Sequence, residues 1–249
     1  VSFTIAFTVS CQREHYLRRA LNSWGRVRGI QDAHLLFCLE PTRTVHSPFP
    51  MAEFRNFLFR NFRSFDIRMN EQVLGPTGNT KNAMVTAFTV NPDDFVILAE
   101  EDLLVATDIL EWFTWAQRYR EDAQVVTVSA HAHRSTGQPD QAVRVPWFSP
   151  LVWGTWKDRW QDFIAPGWGG LPDNPGAWDA NLRSRIAGAG LCTLFPARSR
   201  AQHIGQVSTL TPGLLAEYFY GASTSTCFSP DYPPQAFTEV PGDSLELLV

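Results

Sequence analysis

The chain has 249 residues, enough for one large domain or two small ones and for a sizeable core. Hydrophobic residues make up 44% and charged residues 18%, which excludes a disordered or fibrous chain. A formal balance of 21 basic against 25 acidic side chains excludes broad electrostatic binding to nucleic acid or acidic membranes. The balance is uneven, with 10 basic and 6 acidic residues in 1–75 and 11 against 19 in 76–249. Only Lys81 and Lys157 are lysines, an Arg bias general enough to reflect a G+C-rich genome rather than phosphate forks. Four cysteines, Cys11, Cys38, Cys192 and Cys227, are far apart and form no CxxC pair, the pattern of reduced core thiols in a cytoplasmic protein. No apolar run approaches the roughly 20 residues of a membrane span, and no signal peptide opens the chain. With the Arg bias, the expectation is a bacterial or viral cytoplasmic protein. Aromatics reach 13%, with nine Trp, and rings left near a surface suit stacked ligands.

Residues 3–9 alternate and are rich in β-formers, predicting a strand, and 14–24 carry a helical apolar stripe closed near Gly25. Residues 34–39 read as a buried strand, 51–62 as a helix, and 65–69 as a third strand. Gly75 to Asn79 has turn chemistry, with a helix predicted over 81–88 and a buried strand over 94–99. Asp108 and Glu111 form a D-x-x-E capping box for a helix reaching Arg120, and 125–130 read as a strand. Beyond it periodicity fades through an aromatic, glycine-rich stretch over 147–170, followed by a helix over 177–186 and a strand over 190–196. From Ser229 the chain is proline-rich and irregular, a wrapping or mobile tail. The alternation of strand and helix predicts one α/β domain with a mostly parallel central sheet flanked by helices.

In such sheets ligands sit at the carboxyl ends of the strands. A buried apolar strand here empties into Glu100, Glu101 and Asp102. Three adjacent acids repel one another, a cost that a divalent cation relieves, and hard oxygen ligands favour Mg2+ or Mn2+. A solvated acidic loop is the competing reading of the triplet alone.

The segment from Glu100 to Phe113, EEDLLVATDILEWF, follows almost position by position a known pattern, E-D-D-L-x-V-A-x-D-F-x-E-x-F, with Glu for the middle acid and Ile109 for the first Phe. That pattern belongs to the inverting GT-A glycosyltransferases related to N-acetylglucosaminyltransferase I and the protein O-mannose N-acetylglucosaminyltransferase, which the chain resembles. The turn SCQR at 10–13 with LRRAL at 17–21 resembles the family's first turn and helix. Trp178 to Arg183, WDANLR, resembles its W-D-D-W-M-R, and Ser199-Arg200, His203 to Gly205 and Val207-Ser208 resemble its donor-closing loop. His131 and His133 replace the family's Trp and polar residues after the strand end at 128–130.

By that resemblance the chain is a GT-A domain over 1–228, with a nucleotide-binding half over 1–106, an acceptor and catalytic half over 107–228, and a tail over 229–249. Asp102 would hold a Mn2+ or Mg2+ ion, with His203 as a second ligand. Arg13, Glu40, Asn79, Glu100, Glu101, Ser208 and Trp178 would contact the nucleotide-sugar, and Asp179 would be the base. The implied reaction moves a hexosyl or N-acetylhexosaminyl group from a nucleotide-sugar, UDP-linked, to an acceptor hydroxyl by single displacement with inversion. The acceptor, whether glycan, protein, lipid or modified nucleic acid, and the oligomeric state stay open. Independently of the resemblance, a sugar–phosphate bond breaking to a diphosphate needs a Lewis acid and a general base, which Asp102 and Asp179 could serve. Trp147, Trp153, Trp156, Trp160, Trp168 and Trp178 cluster between them, a candidate sugar wall built on rings that mostly belong to the core. Arg198 and Arg200 would brace phosphate or face solvent. A sugar nucleotidyltransferase is the second reading, although the turn at 10–14 lacks that class's glycines. A non-catalytic nucleotide- or sugar-binding protein is the third.

Overall fold

The structure, a computed structural model, describes residues 3–11, 13–41, 50–90, 94–171, 177–205 and 224–248. The first half runs β1 (Thr4–Val9), α1 (Glu14–Trp24), β2 (His34–Leu39), α2 (Met51–Asn61), β3 (Phe65–Met69), α3 (Gly75–Val90) and β4 (Phe95–Glu100). The second half adds β5 (Leu103–Val105), α4 (Ile109–Ala116), β6 (Val125–Ser129), β7 (Arg134–Ser135), β8 (Gln141–Val145), β9 (Trp153–Trp156) and a short α5 (Lys157–Arg159). It continues with α6 (Ala177–Gly188), β10 (Cys192–Pro196), β11 (Ala201–His203), β12 (Thr238–Glu239) and β13 (Leu247–Leu248).

Among the described residues nine strands form one sheet in the order β12-β8-β10-β6-β9-β4-β1-β2-β3. β3, β2, β1 and β4 are parallel, and β9 enters antiparallel between β4 and β6. Every residue of β1 is buried, Thr4 and Thr8 included, so the alternation read over 3–9 does not mark a solvent face: a parallel strand inside the sheet is covered on both sides. One face packs under α1, α2 and α4, where Phe7 stacks on Phe37 at 4.8 Å and meets Trp24 edge-on at 5.6 Å. Such ring pairs add about 0.5–1.5 kcal/mol each beyond their buried area. The other face packs under α3 and α6 around Leu36, Met84, Trp153 and Trp178. Gly154 lets β9 cross the Phe95 ring, since a Cβ there would collide with it. No helix among the described residues is long and apolar enough to cross a membrane.

Three expectations change. Gly75 to Asn79 is the first turn of α3, not a separate turn. The carboxylate of Glu40, 35 residues upstream, accepts hydrogen bonds from the Leu74 and Gly75 amides at 2.8 and 2.6 Å. That charge satisfies amides which an α-helix leaves orphaned at its start, so the glycines and Pro76 are carried into the helix. Asp108 makes no side-chain capping bond to α4. It is wholly buried on Arg200 at 3.2 Å, while Glu111 pairs with Arg28. The segment after Ser229 wraps the body: β12 extends the sheet edge beside β8, β13 pairs with β7, and Phe237 is buried against Trp112.

Candidate active site

Register brings the site together. β1 and β4 pair with Thr8 opposite Glu100, so residues 10–11 and 101–102 leave the sheet side by side. Ser10 Oγ donates to Glu101 Oε1 at 2.9 Å, and the Ser10 amide reaches Oε2 at 3.3 Å. Cys11 then adopts a left-handed φ of 59°, uncommon for a residue with a Cβ, and the chain turns back so that Arg13 meets the same acids. Arg13 donates from Nε and Nη2 to Glu101 Oε1 at 2.9 and 2.7 Å and from Nη1 to Asp102 Oδ2 at 2.7 Å. This planar fork spanning two carboxylates is a geometry that lysine could not supply.

Asp102 is 2% exposed. β5, which follows it at once, pairs antiparallel with β11, setting His203 opposite Leu103. The ribbon holds His203 Nε2 3.3 Å from Asp102 Oδ2, and Ile204 donates its amide to the Asp102 carbonyl at 2.9 Å. Gly205 passes so close that a Cβ would lie 3.0 Å from the His203 ring and nearer still to Asp102 Oδ2. Asp102 Oδ1 has no hydrogen-bond partner among the described residues despite its burial.

Asp179 lies in the first turn of α6, partly buried, with Oδ2 3.9 Å from Arg183 and Oδ1 unpartnered among the described residues. Its charge bears on Glu100, which ties it to the acidic cluster. Arg183 lies over the Trp147 ring at 4.4 Å, so Trp147, Arg183 and Asp179 form a chain of contacts. Of the six clustered tryptophans only Trp147, 37% exposed, presents a large surface. Trp153, Trp156, Trp160 and Trp168 are buried, and Trp178 stacks on Trp168 at 5.2 Å with Phe148 and Trp153 around it. Trp178 is therefore a core anchor that seats Asp179, not an open stacking surface.

The other expected residues sort differently. Glu40 and Asn79 do structural work: Glu40 holds the start of α3, and Asn79 bridges the Cys38 carbonyl at 3.2 Å and Asn70 at 2.9 Å. Arg200 neither braces phosphate nor meets solvent. It is wholly buried on Asp108, with Tyr232 and Phe237 rings 4.3 and 4.9 Å from its guanidinium. Arg198 bonds the Gly137 carbonyl at 2.7 Å. His131 is buried beside Ser149. Ser208 lies outside the described residues. Sequence reading did not single out Ser10 or the close approach at Gly205. The glycine two residues past His203 was the available signal for the latter.

The electrostatics favour a cation. Glu100 is pushed up to about 8 by burial and by the charges of Asp102 and Glu101. At Asp102 burial pulls upward, but the His203 hydrogen bond and the Arg13 charge prevail and hold it below the usual carboxylate range. Burial, with Glu101 and Glu40 nearby, pushes the Cys11 thiol up to about 12, so it is no nucleophile. Among the described residues, Arg13 is the guanidinium that Glu101 and Asp102 share. No three described His, Cys, Asp or Glu side chains are grouped to hold a metal by themselves. Asp102 and His203 form a pair, which suits an ion that shares its coordination with ligand phosphates. The orphaned Asp102 Oδ1 fits that role.

No protein-family model matches the chain, and no curated protein matches it. Among solved structures, the mannosyltransferase PcManGT from Pyrobaculum calidifontis in complex with GDP-Man and Mn2+ is similar at a TM-score of 0.51 and 14% identity. TarS 1-349 of S. aureus in complex with UDP-GlcNAc is similar at 0.59 and 10% identity. These matches cover 78% and 86% of this chain but only 56% and 61% of those chains. What is shared at such identities is architecture: the chain has the GT-A glycosyltransferase fold, a single α/β domain with a mostly parallel mixed sheet.

Proposed function

We propose that the chain is an inverting, metal-dependent glycosyltransferase that moves a sugar from a nucleotide-sugar to an acceptor hydroxyl. The observation that carries this reading is the buried Asp102 with its orphaned Oδ1, paired with His203 at the carboxyl edge of the sheet. The fold it shares with PcManGT and TarS, whose structures contain GDP-Man with Mn2+ and UDP-GlcNAc, supports the substrate class. The sequence resemblance to the N-acetylglucosaminyltransferase I family favours a UDP-linked donor and a hexosyl or N-acetylhexosaminyl group.

Asp102 and His203 would hold Mn2+ or Mg2+, which when bound supplies Lewis-acid neutralisation of the diphosphate. Arg13 helps keep Asp102 ionised and fixes both it and Glu101 in orientation. Asp179, with one oxygen unpartnered among the described residues and the other only loosely held by Arg183, accepts the acceptor hydroxyl's proton as the hydroxyl oxygen attacks the anomeric carbon and the bond from that carbon to the nucleoside diphosphate breaks. Direct attack by the acceptor, with Asp179 acting as base rather than as nucleophile, gives inversion. Such a base contributes about 10²–10⁴-fold. Trp147 offers the acceptor a ring face beside that base.

Replacing Asp179 with Asn tests the assignment. Expected is a fall in transfer of about 10²–10⁴-fold with UDP affinity preserved. Transfer at the unmodified rate would remove Asp179 from the mechanism. Thermal protection by UDP-, GDP- and dTDP-sugars in the presence of Mn2+ would identify the donor.

A further inference from the structure

β3 is the last strand of the sheet, paired with β2 on one side only among the described residues. At its two ends the Ser64 carbonyl accepts from the Leu35 amide at 3.1 Å and the Asn70 amide donates to the Leu39 carbonyl at 2.8 Å. Even-numbered residues of this segment therefore direct their backbone groups toward β2, and Phe65, Ile67 and Met69 direct theirs outward. Among the described residues, the outer edge is thus a row of open N–H and C=O groups. Phe59 of α2 stands beside it, 73% exposed and edge-on to Phe65 at 4.9 Å, and Met69 is 48% exposed. Among the described residues, Phe59 and Met69 are the two most exposed large apolar side chains, one against Phe65 at the start of β3 and the other at its end.

An open edge is ordinarily blunted by charge, and β3 does carry Asp66 and Arg68, with side chains 48% and 56% exposed. Within one copy they meet only at 4.0 Å, with His34 3.7 Å from Asp66. Their order gives them a different use. The strand reads Phe65-Asp66-Ile67-Arg68-Met69, with opposite charges placed symmetrically about Ile67. Set antiparallel against a second copy with Ile67 opposite Ile67, it places Phe65 opposite Met69 and Asp66 opposite Arg68, each pair occurring twice. The outward backbone groups make the Ile67 and Phe65–Met69 pairs the hydrogen-bonded ones. Asp66 and Arg68 then fall at the non-hydrogen-bonded positions, where opposing Cα atoms approach to about 4.5 Å and side chains interact most closely.

We infer that the protein forms a twofold homodimer by antiparallel pairing of its β3 edges, continuing the sheet from one copy into the next. A second copy is the occupant that satisfies both charges reciprocally, and twofold pairing consumes the edge, so growth stops at two. The opposite edge, β12, has only two residues in the ladder and offers little to pair with.

Sedimentation velocity on the wild-type chain, Asp66→Arg, Arg68→Asp and an equimolar mixture of the two variants tests this. Both substituted positions are solvent-facing, and circular dichroism would confirm that each variant keeps the fold. Each single variant sets like charges opposite one another in its own homodimer. In the mixed dimer every acid again faces a base, because one chain is basic at both positions and the other acidic at both. Expected is a wild-type dimer, association weakened at least about tenfold in each single variant, and a restored dimer in the mixture. A wild-type chain that stays monomeric at its highest soluble concentration would overturn the inference. So would single variants that dimerise as tightly as the wild type, or a mixture that does not associate.

Discussion

His203 Nε2 stands 3.3 Å from Asp102 Oδ2, and backbone pairing holds the two together: β11 sets His203 against Leu103, the residue that follows Asp102. The imidazole and the carboxylate are therefore preorganised on a two-stranded ribbon outside the main sheet, and Gly205 closes over both. Gly205→Ala inserts a methyl group into that contact. Overpacking of this kind costs about 1–3 kcal/mol. Expected is a corresponding loss of stability in urea, with weaker Mn2+-dependent nucleotide binding. A variant with unchanged stability and binding would show that the backbone can move aside.

Arg13→Met removes the guanidinium that Glu101 and Asp102 share. Breaking a buried pair costs about 3–5 kcal/mol, and the 18% exposure of Arg13 puts the expectation near the lower end. Because a divalent cation would relieve the same repulsion, Mn2+ should raise the melting temperature of the variant more than that of the wild type. An equal response would separate Asp102 from metal binding.

Arg200→Met tests a purely structural pair. It leaves Asp108 wholly buried without its partner, with an expected loss of about 3–5 kcal/mol measured by denaturant unfolding. Arg200→Met combined with Asp108→Leu should lose much less, since removing both charges leaves no uncompensated ion. If the double variant is as unstable as the single one, packing under Tyr232 and Phe237 outweighs the charge.

Trp147→Ala removes the exposed ring beside Arg183 and Asp179. Expected is a rise of about 3- to 10-fold in the acceptor KM, the scale of one ring contact, with UDP affinity unchanged. A weakened UDP affinity instead would place the ring on the donor side.

How legible the molecule is depends on how local the cause is. The inner parallel strands of the first half declare themselves because burial on both faces demands continuous apolar runs, as in β2 and β4. The start of α3 does not, because Gly75 to Asn79 has the composition of a turn and becomes helical through the distant carboxylate of Glu40. The same blindness hides Asp108: its spacing to Glu111 suggests a capping box, yet the cause of its placement is Arg200, far along the chain. β5 and β11, three residues each, are too short for periodicity to register, and they are the elements that bring His203 to Asp102. The acids are half readable: the triplet alone reads equally as a solvated loop, and it is the fold that buries Glu101 and Asp102. The tryptophans are half readable: their number signals ring packing, but only the fold separates the exposed Trp147 from the five in the core.

The most direct measurement is calorimetric titration of the folded chain with UDP, with and without Mn2+. If Asp102 and His203 hold an ion that shares the diphosphate, binding will require Mn2+ and will be lost in Asp102→Asn. Tight UDP binding independent of the metal, or no binding in its presence, would contradict the proposed function.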